Sequence, residues 1–174
     1  MTHSLDTRFA QRTSPVLLVR RGLVALTGIG ILATAFELAA ERHWGHVEQL
    51  VPWLALVLLA IAVGLTLLPD GRGTTAARVL AVVVLGASAY GVIEHVLVNA
   101  GAGRFDPRLG DVWASLPLLE RGWYALTKTV GSAPTLAPGV LAQTALLLLL
   151  ATVCRAGTGS GSSPVTAGTA PNGH

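Results

Sequence analysis

Four apolar runs, roughly residues 22–40, 50–68, 79–98 and 138–154, constrain this chain more than any other feature. Each is close to the ~20 residues that an α-helix needs to cross ~30 Å of hydrocarbon. A backbone in lipid must satisfy its own hydrogen bonds, so helices are the credible spanning form. No alternating ten-residue pattern points to a barrel. The expected fold is all-α: an integral-membrane four-helix bundle with antiparallel neighbours. Composition agrees, because hydrophobic residues make up 52% of the chain and charged residues only 12%. A soluble domain carries about 25% charged residues.

Charge speaks to topology. The net charge of +3 arises mostly from arginines beside apolar runs, where they orient helices in a membrane, and it is not a nucleic-acid footprint. Arg8, Arg12, Arg20 and Arg21 precede the first run, Arg72 and Arg78 occupy the second loop, and Arg155 follows the fourth run. The positive-inside rule then places both termini and residues 69–78 in the cytoplasm. Arg104, Arg108, Arg121 and Lys128 pull the other way, but they are spread through a long loop with Asp106, Asp111 and Glu120. The layout that follows is a cytoplasmic N-terminal segment 1–21, a membrane domain 22–154 with an outer loop 99–137, and a cytoplasmic tail 155–174. From Ala156 the tail is rich in Gly, Ser, Thr and Pro; it is expected to be disordered, and residues 1–14 to be loose. A signal-peptide reading of the first run, cleaved at Ala33-Thr34-Ala35, competes with this layout. The long positive lead and the span-length run weigh against it. High alanine, glycine and arginine usage points to a GC-rich bacterial gene, and hence to a bacterial inner membrane.

Within the outer loop, DVWASLPLLERGWYALTK mixes Trp113, Leu116, Leu119, Trp123 and Leu126 with charged residues. Tryptophan and tyrosine favour the headgroup level, so this stretch is expected to lie along the outer membrane surface as broken amphipathic helix. A plain loop with scattered aromatics is the alternative.

The halves of the chain share a pattern. FEL at 36–38 ends the first run and IEH at 93–95 nears the end of the third; LVPW at 50–53 opens the second and LAPG at 136–139 the fourth. Each half reads as helix, glutamate, connection, Leu-x-Pro, helix, with proline in a first helical turn where its missing N–H costs nothing. A duplicated helical hairpin would give a bundle with a pseudo-two-fold axis along the membrane normal.

Polar residues recur at one depth. Glu37 lies about 4.5 Å below the end of its run, Glu94 about 6 Å and Gln143 about 7.5 Å, at a rise of about 1.5 Å per residue. Thr27, Thr34, Glu37 and Glu41 share a stripe of the first helix; Ser88, His95 and Asn99 share one of the third, with Glu94 beside it. Small and polar residues on one face of a membrane helix usually meet neighbouring helices. His43 and His46 follow at i, i+3 spacing in ERHWGHVEQ. Carboxylate plus imidazole suits zinc, iron, manganese or copper better than calcium or magnesium. Glu37, Glu94, His95, His43 and His46 are thus candidate ligands of a transition metal or proton site, with Glu41, Asn99 and Gln143 as accompanying polar groups.

The bland reading is that Glu94, His95 and Gln143 merely hydrogen-bond between helices, in a non-catalytic scaffold or accessory subunit. Expected partners are membrane lipids, a second copy or another membrane protein. A single cysteine, Cys154, excludes an intramolecular disulfide framework, and no phosphate loop, nucleotide fingerprint or serine elbow occurs. Haem ligation is weaker, since only His95 lies well inside a run.

Overall fold

Proline suits the first position of a helix, where its preset φ helps and its missing N–H is not needed. Helix α1 runs Pro15–Ala40, so it starts well before the apolar run and takes in Arg20 and Arg21. The computed structural model describes residues 15–68 and 71–156. The expectations of loose residues 1–14 and a disordered tail from residue 157 lie outside them. At the end of α1, Arg42 turns left-handed with φ 51°. The amide of His43 donates to Leu38 O at 2.9 Å and that of Arg42 to Ala39 O at 3.1 Å. This is a Schellman stop, which satisfies carbonyls the helix leaves orphaned.

A short 3-10 turn, Val47–Leu50, leads into α2, Val51–Leu67, with Pro52 in its first turn. Helix α3 spans Thr74–Ala102 and is longer at both ends than the apolar run 79–98. Short 3-10 turns at Gly103–Phe105 and Trp113–Ser115 precede α4, Leu118–Leu126, and α5 runs Pro138–Ala156. Every regular element among the described residues is helical.

Helix α5 packs along α1 and α3, and α2 packs along α3 and α1, so the four long helices form a ring in the order α1, α2, α3, α5. Helices α2 and α5 also touch across the centre. The contact surfaces are built from small residues: Ala62, Ala77, Ala81, Ala145 and Ala151 are fully buried, with Leu59, Val84 and Leu148 filling the middle. Small side chains let helix backbones approach closely. At Gly30, a Cβ would lie 2.6 Å from Thr144 Oγ1, so the crossing of α1 and α5 requires glycine there.

The large apolar side chains point the other way. Ile29, Leu32 and Phe36 of α1, Leu54 and Val57 of α2, and Ile93 and Leu97 of α3 are exposed. Such a surface needs lipid to cover it. Segments Pro15–Ala40, Val47–Leu67 and Thr74–Phe105 are long and apolar enough to cross a membrane, while the apolar part of α5, Pro138–Cys154, is shorter. The chain is a membrane protein.

Residues 103–137 fold over one end of the ring. Trp113 is buried, its indole packed where a Cβ on Gly103 would sit. It therefore anchors this cap from within instead of lying at a headgroup level. Leu118, Leu119 and Trp123 of α4 are exposed, as are Phe105, Val112 and Leu136 elsewhere in the segment. A second Schellman stop ends α4, with Lys128 at φ 57° and the Thr129 amide donating to Tyr124 O at 2.8 Å. At the opposite end of the ring, Arg20 Nη2 donates to Thr66 O at 2.6 Å, joining α1 to α2. Arg78 Nε donates to Thr152 Oγ1 at 3.0 Å and its Nη2 to Thr152 O at 3.2 Å, joining α3 to α5.

Candidate functional site

Under the cap, the ends of the four long helices surround a cavity of ≈ 560 Å³. Helical periodicity explains which side chains reach it. Thr34, Glu37 and Leu38 of α1, with Glu41 just past its end, fall within two turns on one stripe and all line the cavity. On α3 the same spacing brings Ala87, Tyr90, Gly91, Glu94 and Val98 to it, with His95 beside Glu94. Pro52 and Ala55 contribute from the start of α2, and Pro138 and Leu141 from the start of α5. His43, His46 and Glu48 line it from the connection between α1 and α2. Ala55 and Leu141 belong to the buried core of the ring, so the floor is apolar and the polar groups stand nearer the loops.

The structure thus brings Glu37, Glu41, Glu94, His95, His43 and His46 to one space. Glu37, Glu41 and His46 are exposed, whereas His43, Glu94 and His95 are half-buried. Among the described residues, however, no three His, Cys, Asp or Glu side chains come together as a ligand set for one metal ion.

Gln143 and Asn99 go elsewhere. The buried stripe of α5 is Leu141, Thr144, Ala145, Leu148, Ala151 and Thr152. Gln143 falls on the opposite face and is exposed. Asn99 is fully buried beneath the cap. Its Nδ2 donates to Ala125 O and Ala133 O, both at 3.0 Å, and its Oδ1 accepts from the Ala133 amide at 2.9 Å. Asn99 ties the cap to α3 and does not line the cavity.

His95 is held in one orientation. Its Nδ1 lies 2.8 Å from Pro134 O, and a carbonyl only accepts, so Nδ1 carries a proton, and in the neutral ring Nε2 is the acceptor. The connection holding His43 is braced as well: Trp53 Nε1 donates to His43 O at 2.8 Å, and the Trp44 and Trp53 ring centroids are 6.3 Å apart. Gln49 Oε1 accepts from the Gly45 amide at 2.6 Å.

Two lining residues outside the expected ligand set also carry polar chemistry. Tyr90 sits one turn before Glu94 on α3, and both line the cavity. The i, i+4 spacing of Tyr90 and Glu94 was the available signal. Thr34 is the other. The remaining buried hydroxyls, those of Thr27, Thr66, Ser88, Thr135, Thr144 and Thr152, each donate to a backbone carbonyl. Thr34 Oγ1 is buried and has no hydrogen-bond partner.

In the cap, Asp106 Oδ1 accepts from the amides of Arg108 and Leu109 at 2.9 and 3.2 Å. The Arg108 amide bond chiefly, and then the Arg108 side chain, hold this carboxyl below its usual range. The Glu120 carboxylate, accepting from Tyr124 Oη at 2.6 Å, raises that phenol above its usual value.

No protein-family model, curated protein or solved structure matches the chain.

Proposed function

We propose that the protein is a four-span protein of the bacterial inner membrane, with both termini cytoplasmic, whose bundle holds a cation site open to the extracytoplasmic side. One observation carries this reading. The cavity is lined by four carboxylates, Glu37, Glu41, Glu48 and Glu94, and by no lysine or arginine. Removing a charge from water near the hydrocarbon is expensive unless a partner compensates it. Glu37 and Glu94 reach the same space from different helices, and among the described residues the Glu37 carboxylate has neither a hydrogen bond nor an ion pair. A bound cation or a proton supplies the missing compensation. The histidines make zinc, iron, manganese and copper the fitting metals. With fewer than three close protein ligands, water would complete the coordination.

Helix α5 serves as the fourth span in this reading. Its nineteen residues rise about 28 Å at about 1.5 Å each, and it runs beside two helices that are long enough to cross. Duplication of a hairpin is supported by position. Pro52, Ala55, Leu59, Ala62 and Thr66 of α2 align without a gap on Pro138, Leu141, Ala145, Leu148 and Thr152 of α5. The last four of each set are buried, and the last of each accepts from an arginine on the preceding long helix.

A second reading, a non-catalytic scaffold docking a second copy or another membrane protein, is favoured by the packing role of Asn99. Two measurements test the proposal. Cysteines placed at Arg72 and Arg104 should label from opposite sides of the membrane; equal labelling from outside sinks the topology. Protein purified without a histidine tag should hold a transition metal or take up a proton at the cavity. That occupancy should fall in the Glu94→Gln, His95→Ala double variant, and an unchanged value leaves the scaffold.

A further inference from the structure

We infer that the cap docks onto the bilayer itself: α4 lies in the lipid leaflet at the cap end, with Leu118, Leu119 and Trp123 among the acyl chains. The inference does not depend on the cation-site reading, nor on which side of the membrane that leaflet faces. Its first support is that α4 is inside out for a helix in water. A water-facing helix buries its apolar stripe and exposes its charges. Here Leu118, Leu119 and Trp123 are 80%, 87% and 61% exposed, whereas Glu120, Arg121 and Tyr124 are half-buried. The polar groups turn inward. Tyr124 Oη donates to Glu120 Oε1 at 2.6 Å, and Tyr124 packs on the cluster of Trp113, Ala125 and Val130.

Depth gives the second support. Asn99 is the first residue past the apolar run 79–98 of α3, and its Nδ2 donates to Ala125 O at 3.0 Å. The last turn of α4 is therefore level with the hydrocarbon edge, where tryptophan and interfacial helices settle. Continuity is the third. Val96 and Ala100 of α3 pack against the cap cluster. Ile93 and Leu97, both exposed, precede them by three residues and so lie beside them on the helix surface. The outward apolar stripe of α3 thus borders the cap. Charge fits a phospholipid as well. Arg104 and Lys128 are exposed, and among the described residues neither is ion-paired. The Arg104 guanidinium lies 5.4 Å from the centroid of the Phe105 ring, which is 78% exposed. Apolar side chains beside free cations match the acyl chains and phosphates of a leaflet.

The test uses the full chain in nanodiscs of phosphatidylcholine and phosphatidylglycerol. Cys154→Ser gives a cysteine-free background for nitroxide labels at Leu119→Cys, Leu97→Cys and Asp111→Cys. Leu97 on α3 is the lipid reference and exposed Asp111 the water reference. Collisions with oxygen, which concentrates in lipid, and with a nickel chelate, which stays in water, report the surroundings of each label. The oxygen-to-nickel ratio at 119 should match that at 97 and exceed that at 111 by about tenfold. A ratio at 119 no higher than that at 111 puts α4 in water and overturns the proposal. Exclusion of both reagents at 119 shows a protein cover, from a second copy or another chain, and overturns it too. The unlabelled chain supplies a measurement free of any effect of a label on folding. Lipids brominated on their acyl chains should quench tryptophan fluorescence, and Trp123→Phe, which keeps the apolar face, should remove part of that quenching. Quenching that is unchanged in Trp123→Phe overturns the proposal as well.

Discussion

His95 Nδ1 and the carbonyl oxygen of Pro134 are 2.8 Å apart, which links α3 to the segment leading into α5. The bond keeps a proton on Nδ1, because the carbonyl can only accept. Asparagine places an amide N–H near the position of Nδ1. His95→Asn should therefore retain the link and most of the stability while removing the Nε2 acceptor. His95→Ala should lose the link and about 1 kcal/mol. Unfolding midpoints of the two variants, compared in one detergent, check this; equal losses would show that the bond contributes nothing.

Asn99 satisfies three backbone groups of the cap at once. Asn99→Ala removes three hydrogen bonds and strands both backbone groups of Ala133, while Ala125 O keeps the Lys128 amide at 3.4 Å; the expected cost is about 3 kcal/mol at roughly 1 kcal/mol per bond. The damage should be local, with residues 103–137 becoming protease-sensitive before the long helices are cut. Uniform cleavage across the chain would contradict this.

Gly131 has φ +74°, and a Cβ there would strike Asn99. Gly131→Ala should cost about 2 kcal/mol or more by strain and by displacing that side chain. Lys128 is also left-handed but carries a side chain. Lys128→Gly should stabilise by about 1 kcal/mol, since glycine takes this conformation freely. The opposite signs, read as shifts in unfolding midpoint, are the check.

Asp106 supplies a pH dependence with a definite sign. Its folded carboxyl titrates below the ordinary value of 3.8, so its contribution to the cap is complete above that value. It is lost as the pH falls through the lowered one. Hydrogen exchange of the Arg108 and Leu109 amides should accelerate, relative to amides elsewhere in the cap, only under strong acid. Asp106→Asn should abolish that acid dependence. A variant that keeps it would assign the effect to another group.

Much of this architecture was legible in the sequence because the relevant physics is periodic. The apolar runs located the long helices, and stripe analysis put Thr34, Glu37 and Glu41 on one face. Helix ends were harder. Helix α1 reaches back to Pro15 through Arg20 and Arg21, since charged residues at a membrane edge continue a helix without being apolar. Gln143 shows what depth alone misses: rise along an axis says nothing about azimuth, and only the packing of Leu141, Thr144 and Ala145 settles which face of α5 turns inward. Asn99 lay on the expected stripe, but its partners in residues 125–133 are distant in sequence and carry no motif. Trp113 looked like a headgroup anchor because its partner, Gly103, has no side chain to advertise the slot.

The paired arginine contacts at the far end of the ring have a consequence for depth. Each guanidinium grips the last turn of a neighbouring helix, where exposed carbonyls carry partial negative charge. Sliding either helix by one turn, about 5.4 Å, would either break that grip or drag an arginine into hydrocarbon. In the four-span arrangement proposed above, Arg20 and Arg78 would act as two draught marks on one hull, setting the waterline of both hairpins together and with it the height at which the cavity rides above the bilayer centre.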